Sequence, residues 1–182
     1  MNEATAPKLL RYLMDNRHWS PFEMVHIVME INTTRDIARQ MLRHRSFSFQ
    51  EFSQRYANAN QLGFELRECR MQDAKNRQAS IETTDNELAE LWTEKQVAAL
   101  RAATEAYDWA ISNGIAKEQA RATLPEGITH SRLYMAGTLR SWLHYCAERM
   151  GMGTQKEHRE IATDAAAIIT QEFPSITELL KV

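Results

Sequence analysis

The sequence predicts an α+β fold in which long helices dominate and a small, mostly antiparallel sheet is built from few strands. Three observations carry that reading. Residues 24–31 alternate, with Val25, Ile27, Met29 and Ile31 on one face and His26 and Glu30 on the other, the period of a half-buried strand. From Thr84 or Asp85, either of which can cap it, a long helix runs to Asn113 with Leu88, Leu91, Trp92, Ala99, Ala103, Ala106, Tyr107, Ala110 and Ile111 on one side, and Gly114 stops it. A further helix starts at Thr154, paired with Glu157 as a capping box, and reaches Pro174. A small sheet beside long helices leaves apolar faces to cover, so an oligomer is expected.

The remaining elements follow in order. Residues 8–16 carry Leu9, Leu10, Leu13 and Met14 at helical spacing. Ser20-Pro21-Phe22-Glu23 has the local form of a capping box with Pro at the first helical position, yet the alternation after it is that of a strand. Thr33 or Thr34 caps a helix through Ala38, Met41 and Leu42. Residues 57–80 are polar and irregular, with a short strand at 64–67 and a solvated turn at 75–78. Residues 116–124 form a short helix closed by Pro125, and Thr129 starts a helix through Leu133, Arg140, Leu143 and Ala147 that Gly151 and Gly153 break. Ser175 with Glu178 starts a last turn. No repeat or linker divides the chain, so residues 1–182 read as one domain.

Composition narrows the function. With 182 residues, 43% of them hydrophobic, the chain can bury a core, and a net charge of −2 argues against a general binder of nucleic acid or membrane surface. Any anion site must therefore be local. No apolar run approaches the ~18 residues of a spanning helix and the first residues lack a charged-then-apolar leader, so a soluble cytoplasmic protein is expected. Cys69 and Cys146 lie far apart outside any CxxC spacing, and His144 and His158 fit no zinc pattern, so neither a disulfide framework nor a metal site is expected.

The local anion site is written in residues 43–56. Arg43-His44-Arg45 is followed by Ser46-Phe47-Ser48-Phe49-Gln50-Glu51-Phe52-Ser53-Gln54-Arg55-Tyr56. Successive helical residues point about 100° apart, so three cationic side chains in a row converge on one ligand only from an irregular backbone. Phe47, Phe49 and Phe52 suit a loop that is itself packed. The helix before it ends where positive charge is favoured. Arg39, Arg43, Arg45, Arg55, Arg121, Arg140 and Arg149 form an arginine-rich set suited to phosphates and uracil-type carbonyls. There is no GxGxxG and no P-loop, so any dinucleotide is held by arginines and loops. Ser53 with His44 lacks a placed acid and reads as a hydrogen-bond donor rather than a nucleophile.

The run from Arg43-His44-Arg45 to Ser53, extended by Gln54-Arg55-Tyr56, resembles the signature of the flavin-dependent thymidylate synthases. Ser20-Pro21-Phe22-Glu23 upstream, and Ala120-Arg121, Leu124-Pro125, Arg140-Ser141, Arg149 and Gln155-Lys156-Glu157 downstream, resemble the family's other blocks in the same order. The resemblance implies reductive methylation of dUMP to dTMP by a homotetramer with active sites assembled from several subunits. FAD is the implied cofactor, with NADPH and methylenetetrahydrofolate as co-substrates. It places Arg43, His44 and Arg45 on the flavin, with Arg43 near the nucleotide as well, and Ser20, Glu23, Arg140 and His144 beside the flavin. It places Gln40, Glu51, Ser53, Gln54, Arg55 and Arg121 on dUMP, and Arg149 as the activator of the uracil ring.

The chain departs from the family pattern in three places. It lacks the strand and helix that usually precede the equivalent of Leu9, Ala136 stands where an Asn is usual, and Gly153 stands where some members carry a His. Two alternatives are a pyrimidine-nucleotide hydroxymethylase, in which water rather than hydride completes the reaction, and a non-catalytic nucleotide-binding homologue. Product identity separates the first and flavin content the second.

Overall fold

The computed structural model describes residues 5–58 and 61–180. In chain order the elements are α1 (Ala6–Asp15), α2 (Ser20–Glu23), β1 (His26–Thr34), α3 (Arg35–Met41), β2 (Ser48–Glu51), β3 (Arg70–Gln72), β4 (Ser80–Glu82), α4 (Asn86–Ser112), α5 (Lys117–Ala120), β5 (His130–Thr138), α6 (Leu139–Arg149) and α7 (Lys156–Glu172). This is the expected α+β class. One sheet has the order β1-β5-β2, and β3 pairs with β4 as a separate antiparallel hairpin. Backbone bonds just past the strand ends, Arg35 N–H to Thr129 C=O at 3.0 Å and Leu139 N–H to Val25 C=O at 2.8 Å, make β1 and β5 antiparallel. The chain divides into two compact units.

The first unit holds the described residues up to Met29, then His44–Phe49, then Tyr134 onward. Its core forms where α6 turns Leu139, Trp142, Leu143, Tyr145 and Cys146 inward. It packs on α7, whose buried face is His158, Ala162, Ala165, Ala166 and Ile169. The alanines let the two helix backbones approach closely. Thr138 caps α6, its Oγ1 accepting the Ser141 N–H at 3.3 Å, and Trp142 Nε1 donates to the Ile27 carbonyl at 3.2 Å.

Phe47 anchors the Arg-His-Arg loop in this core, its ring 4.9 Å from that of Trp142 and 6.0 Å from that of Tyr145. The ring lies against Gly137, where a Cβ would come within 2.5 and 2.7 Å of its edge carbons. Gly137→Ala is accordingly expected to destabilise the fold by about 1–3 kcal/mol through overpacking, measured by urea unfolding. The loss should shrink when Phe47→Leu is added, and additive losses in the double variant would contradict the contact.

The second unit holds Glu30–Arg43 and Gln50–Leu133. Asp85 caps α4 as expected, accepting the Leu88 N–H at 3.0 Å, and Gly114 ends it at a φ of 75° that suits glycine. Tyr107 and Ala110 pack with Ala120 and Leu124, and Phe64 and Ile111 close over them. Buried Gln96 brackets the backbone of Arg67, accepting its N–H at 2.7 Å and donating to its carbonyl at 2.9 Å, and Trp92 Nε1 donates to the same carbonyl at 3.0 Å. The apolar stripe expected along α4 is covered mainly near its C-terminus. Towards its N-terminus Leu91 is 46% and Trp92 41% exposed.

Several local expectations are corrected. The helix expected from Thr129 begins at Leu139, and residues 130–138 are strand β5, with Ser131, Leu133, Met135 and Gly137 buried at period two. The strand expected at 64–67 is a single bridge between Phe64 and Thr129, whereas β3 and β4 flank the turn expected at 75–78. The helix expected over 116–124 is α5 followed by a 3-10 turn, Arg121–Thr123. Residues 20–23 do form one helical turn before the strand, but Ser20 lies inside it and Trp19 is the cap. Thr154 does not cap α7: Gln155 holds the cap position, its side chain donating to the Glu157 carboxylate at 2.9 Å rather than accepting a helix N–H, and the Thr154 hydroxyl donates to the Glu148 carbonyl at 3.4 Å. Past α7 comes a 3-10 helix, Pro174–Leu179, on which α1 packs; the side chain of Glu178 lies outside the described residues.

Candidate active site

In the second unit α3 carries Arg35 and Arg39 four residues apart, hence on one face. They line a cleft of about 390 Å³ with Gln54, Glu118, Arg121, Ala122, Leu124 and Glu126. Three guanidinium groups against two carboxylates leave it one positive charge. Gln54 is 4% exposed, so its amide is fixed by packing. Most of the arginines are held by acids: Arg35 with Glu51 at 3.3 Å, Arg39 with Glu126, and Arg55 with Glu118 at 3.3 Å. Glu51 also accepts the Ser131 hydroxyl at 2.6 Å. Ser53 organises the turn after β2, its carbonyl accepting the N–H groups of Tyr56 and Ala57 and its Oγ that of Arg55 at 3.4 Å. Arg121 makes no ion pair among the described residues. Gln40 is half-buried on α3, and Arg43 is exposed just after it.

In the first unit Arg149, the last residue of α6, donates from Nε to His44 Nε2 at 2.9 Å. His44 therefore accepts at Nε2, which puts its proton on Nδ1 and leaves it neutral. Burial, then the adjacent Arg149 charge, lowers its pKa, with Glu148 opposing. Tyr145 stands edge-on to it with ring centroids 5.1 Å apart, and His158 at 6.3 Å. His158 is 1% exposed, and burial, then the Arg149 charge, brings its pKa down to about 4, with protonation of the neighbouring His44 opposing its own. Burial pushes the Cys146 thiol up to about 12, which removes it from nucleophilic chemistry at neutral pH.

Beside it, Arg140 donates to Glu23 at 2.7 Å, a bond that holds the Glu23 carboxyl below its usual range, and the Arg140 guanidinium lies 5.6 Å from the Trp19 ring centre. Trp19 is also 4.8 Å from the ring of exposed His144. Ser20 opens the turn that carries Glu23. Arg45, like Arg43, is exposed with no ion pair among the described residues.

A family model described as thymidylate synthase complementing protein matches residues 1–175. The chain belongs to the flavin-dependent thymidylate synthases. It is 48% identical over 174 residues to the flavin-dependent thymidylate synthase of Synechocystis, covering 96% of this chain and 80% of that one. To the probable flavin-dependent thymidylate synthase of Paramecium bursaria Chlorella virus 1 it is 43% identical over 180 residues, covering 99% and 82%. The crystal structure of the UMP/dUMP methylase PolB from Streptomyces cacaoi, bound with 5-Br UMP, superposes with a TM-score of 0.84 at 26% identity, covering 95% of this chain and 81% of that one. These are enzymes, and no helix among the described residues here is long and apolar enough to cross a membrane.

The fold thus sorts the residues that the resemblance singles out. Gln40, Arg43, Glu51, Ser53, Gln54, Arg55 and Arg121 all fall in the second unit, whereas Ser20, Glu23, His44, Arg45, Arg140, His144 and Arg149 fall in the first. The sequence reading does not single out Arg35, Glu118 or Glu126 in the cleft, nor Trp19 or Tyr145 around the first-unit group, and it weighs His158 only as a metal ligand. For Arg35 the four-residue spacing from Arg39 is the one signal the sequence carries.

Proposed function

We propose that this chain catalyses the reductive methylation of dUMP to dTMP with methylenetetrahydrofolate and NADPH, as an FAD-dependent homotetramer. The observation that carries the nucleotide reading, beside family membership, is that Gln54 and Arg121, far apart in sequence, line one cleft of about 390 Å³ with Arg35 and Arg39. That volume suits a small ligand, and guanidinium forks suit its phosphate. Gln40, Arg43, Glu51, Ser53, Gln54, Arg55 and Arg121 would hold dUMP, with the ion-paired Glu51 as a fixed acceptor.

The residues of the first unit fit a flavin. Arg43, at the edge of the second, and Arg45 offer exposed guanidinium groups without ion pairs among the described residues, and Trp19 and His144 offer aromatic faces. Ser20, Glu23, Arg43, His44, Arg45, Arg140 and His144 would hold FAD. When bound and reduced by NADPH, FAD supplies the hydride that completes the methyl group. Arg149 places a permanent cation where negative charge develops on the uracil ring, and its Nε bond to His44 leaves both terminal nitrogens for that task. No enzyme nucleophile is called for, in keeping with the suppressed Cys146 thiol.

The test is a visible-spectrum titration of the pure protein with FAD, then with dUMP. A bound-flavin spectrum that dUMP perturbs is expected, with light scattering giving a tetramer. Failure of FAD to bind would favour the non-catalytic reading. Since one structural relative is a UMP/dUMP methylase, UMP is the second nucleotide to titrate.

A further inference from the structure

We propose that His44 is the positioning residue for Arg149, its neutral Nε2 fixing the guanidinium in plane and its protonation releasing it. This rests on the reading of Arg149 as the group that faces the uracil ring. The contact is a single hydrogen bond, Arg149 Nε to His44 Nε2 at 2.9 Å, between a loop residue and the last residue of α6. A guanidinium tied through Nε keeps its four terminal N–H groups as an oriented fork; tied through a terminal nitrogen it would lose one of those four donors. A residue at a helix end has the freedom to swing, so the orientation has to come from a partner.

His44 is built to be that partner. Its ring is walled edge-on by Phe47 at 6.5 Å and Tyr145 at 5.1 Å, with His158 at 6.3 Å. Phe47 is in turn locked under Trp142 and against Gly137. The charged and titratable groups facing His44 are Arg149, Glu148 and Tyr145 from α6 and His158 from α7. Burial and Arg149 oppose its protonation, and only Glu148 favours it. A proton added at Nε2 takes the lone pair that accepts from Arg149 and sets two cations where one hydrogen bond had been. The guanidinium must then leave. Acid therefore misplaces the catalytic cation without removing its charge.

The test compares wild type, His44→Gln and His44→Leu as FAD-loaded enzymes at saturating dUMP. A Gln Oε1 can stand in for Nε2 as the acceptor, whereas Leu cannot. The Leu variant is expected to lose about 10–100-fold in kcat, and the Gln variant to recover most of it, because misplacement of an aligned group has that scale of effect. Because His44 is also assigned to the flavin, FAD affinity is measured in both and kcat is read at saturating FAD. The wild-type kcat should fall on the acid side by about tenfold per pH unit, and that limb should be missing in His44→Gln. Equal losses in the two variants, a limb that persists in His44→Gln, or a loss confined to FAD affinity would overturn the proposal. Nitrogen NMR of the His44 ring separates this idea from the reaction itself. Even if wild type forms no dTMP, a neutral Nδ1–H tautomer that is lost in Arg149→Ala supports the contact, and an Nε2–H tautomer in wild type overturns it.

Discussion

Arg149→Ala is expected to lower kcat by about 10²–10³-fold, the scale seen when one preorganised donor to a developing negative charge is removed. FAD affinity should move far less, because the flavin is assigned to other groups. Arg45→Ala is expected to show the opposite balance. Its exposed guanidinium has no ion pair among the described residues, so its loss should appear in the ground state, as FAD binding weakened by about 1.5–3 kcal/mol, with a smaller change in kcat once FAD is saturating. Flavin fluorescence titrations and single-turnover rates give the two quantities. Equal effects of both substitutions on FAD affinity would contradict the division of roles.

Acid is expected to destabilise the first unit through His158. Its folded pKa of about 4 lies below the ordinary value of 6.5, so the unfolded chain binds the extra proton. The stability due to neutral His158 is fully present above pH 6.5 and is lost as pH falls from 6.5 towards 4, a total of about 3 kcal/mol at 1.36 kcal/mol per unit. His44, shifted in the same direction, adds to the trend. Urea unfolding at fixed protein concentration and at pH 7 and 4.5 should therefore give a steeper loss for wild type than for His158→Gln. Parallel losses would mean that His158 is not held neutral by its surroundings.

The parts of the fold legible in the sequence are those whose ends or faces carry local chemistry. Asp85 and Gly114 mark α4 because a cap and a positive φ are properties of single residues, and β1 alternates from His26 to Thr33 because one of its faces is buried. Strand β5 was hidden. Its inward positions include Ser131 and Gly137, which blur the alternation, and Leu133 stands at a spacing from Arg140 and Leu143 that also fits a helix. Strands β3 and β4 bury almost nothing, Met71 and Ile81 being 48% and 51% exposed, so no apolar face records them.

The candidate site divides in the same way. Arg43-His44-Arg45 is visible because it is a local run on a loop that Phe47 anchors. The His44–Arg149 bond is not, since it joins residues 105 positions apart. Nor is the pairing of Arg39 with Glu126, because no local pattern says which carboxylate a helix face will meet.

The most direct measurement is the mass of the nucleotide formed from dUMP, methylenetetrahydrofolate and NADPH with FAD in excess. Formation of dTMP, 14 mass units (about one CH₂) above dUMP, is expected, dependent on FAD and lost in Arg149→Ala. Hydroxymethyl-dUMP as the main product, or no product at saturating FAD, would contradict reductive methylation as the function of this chain.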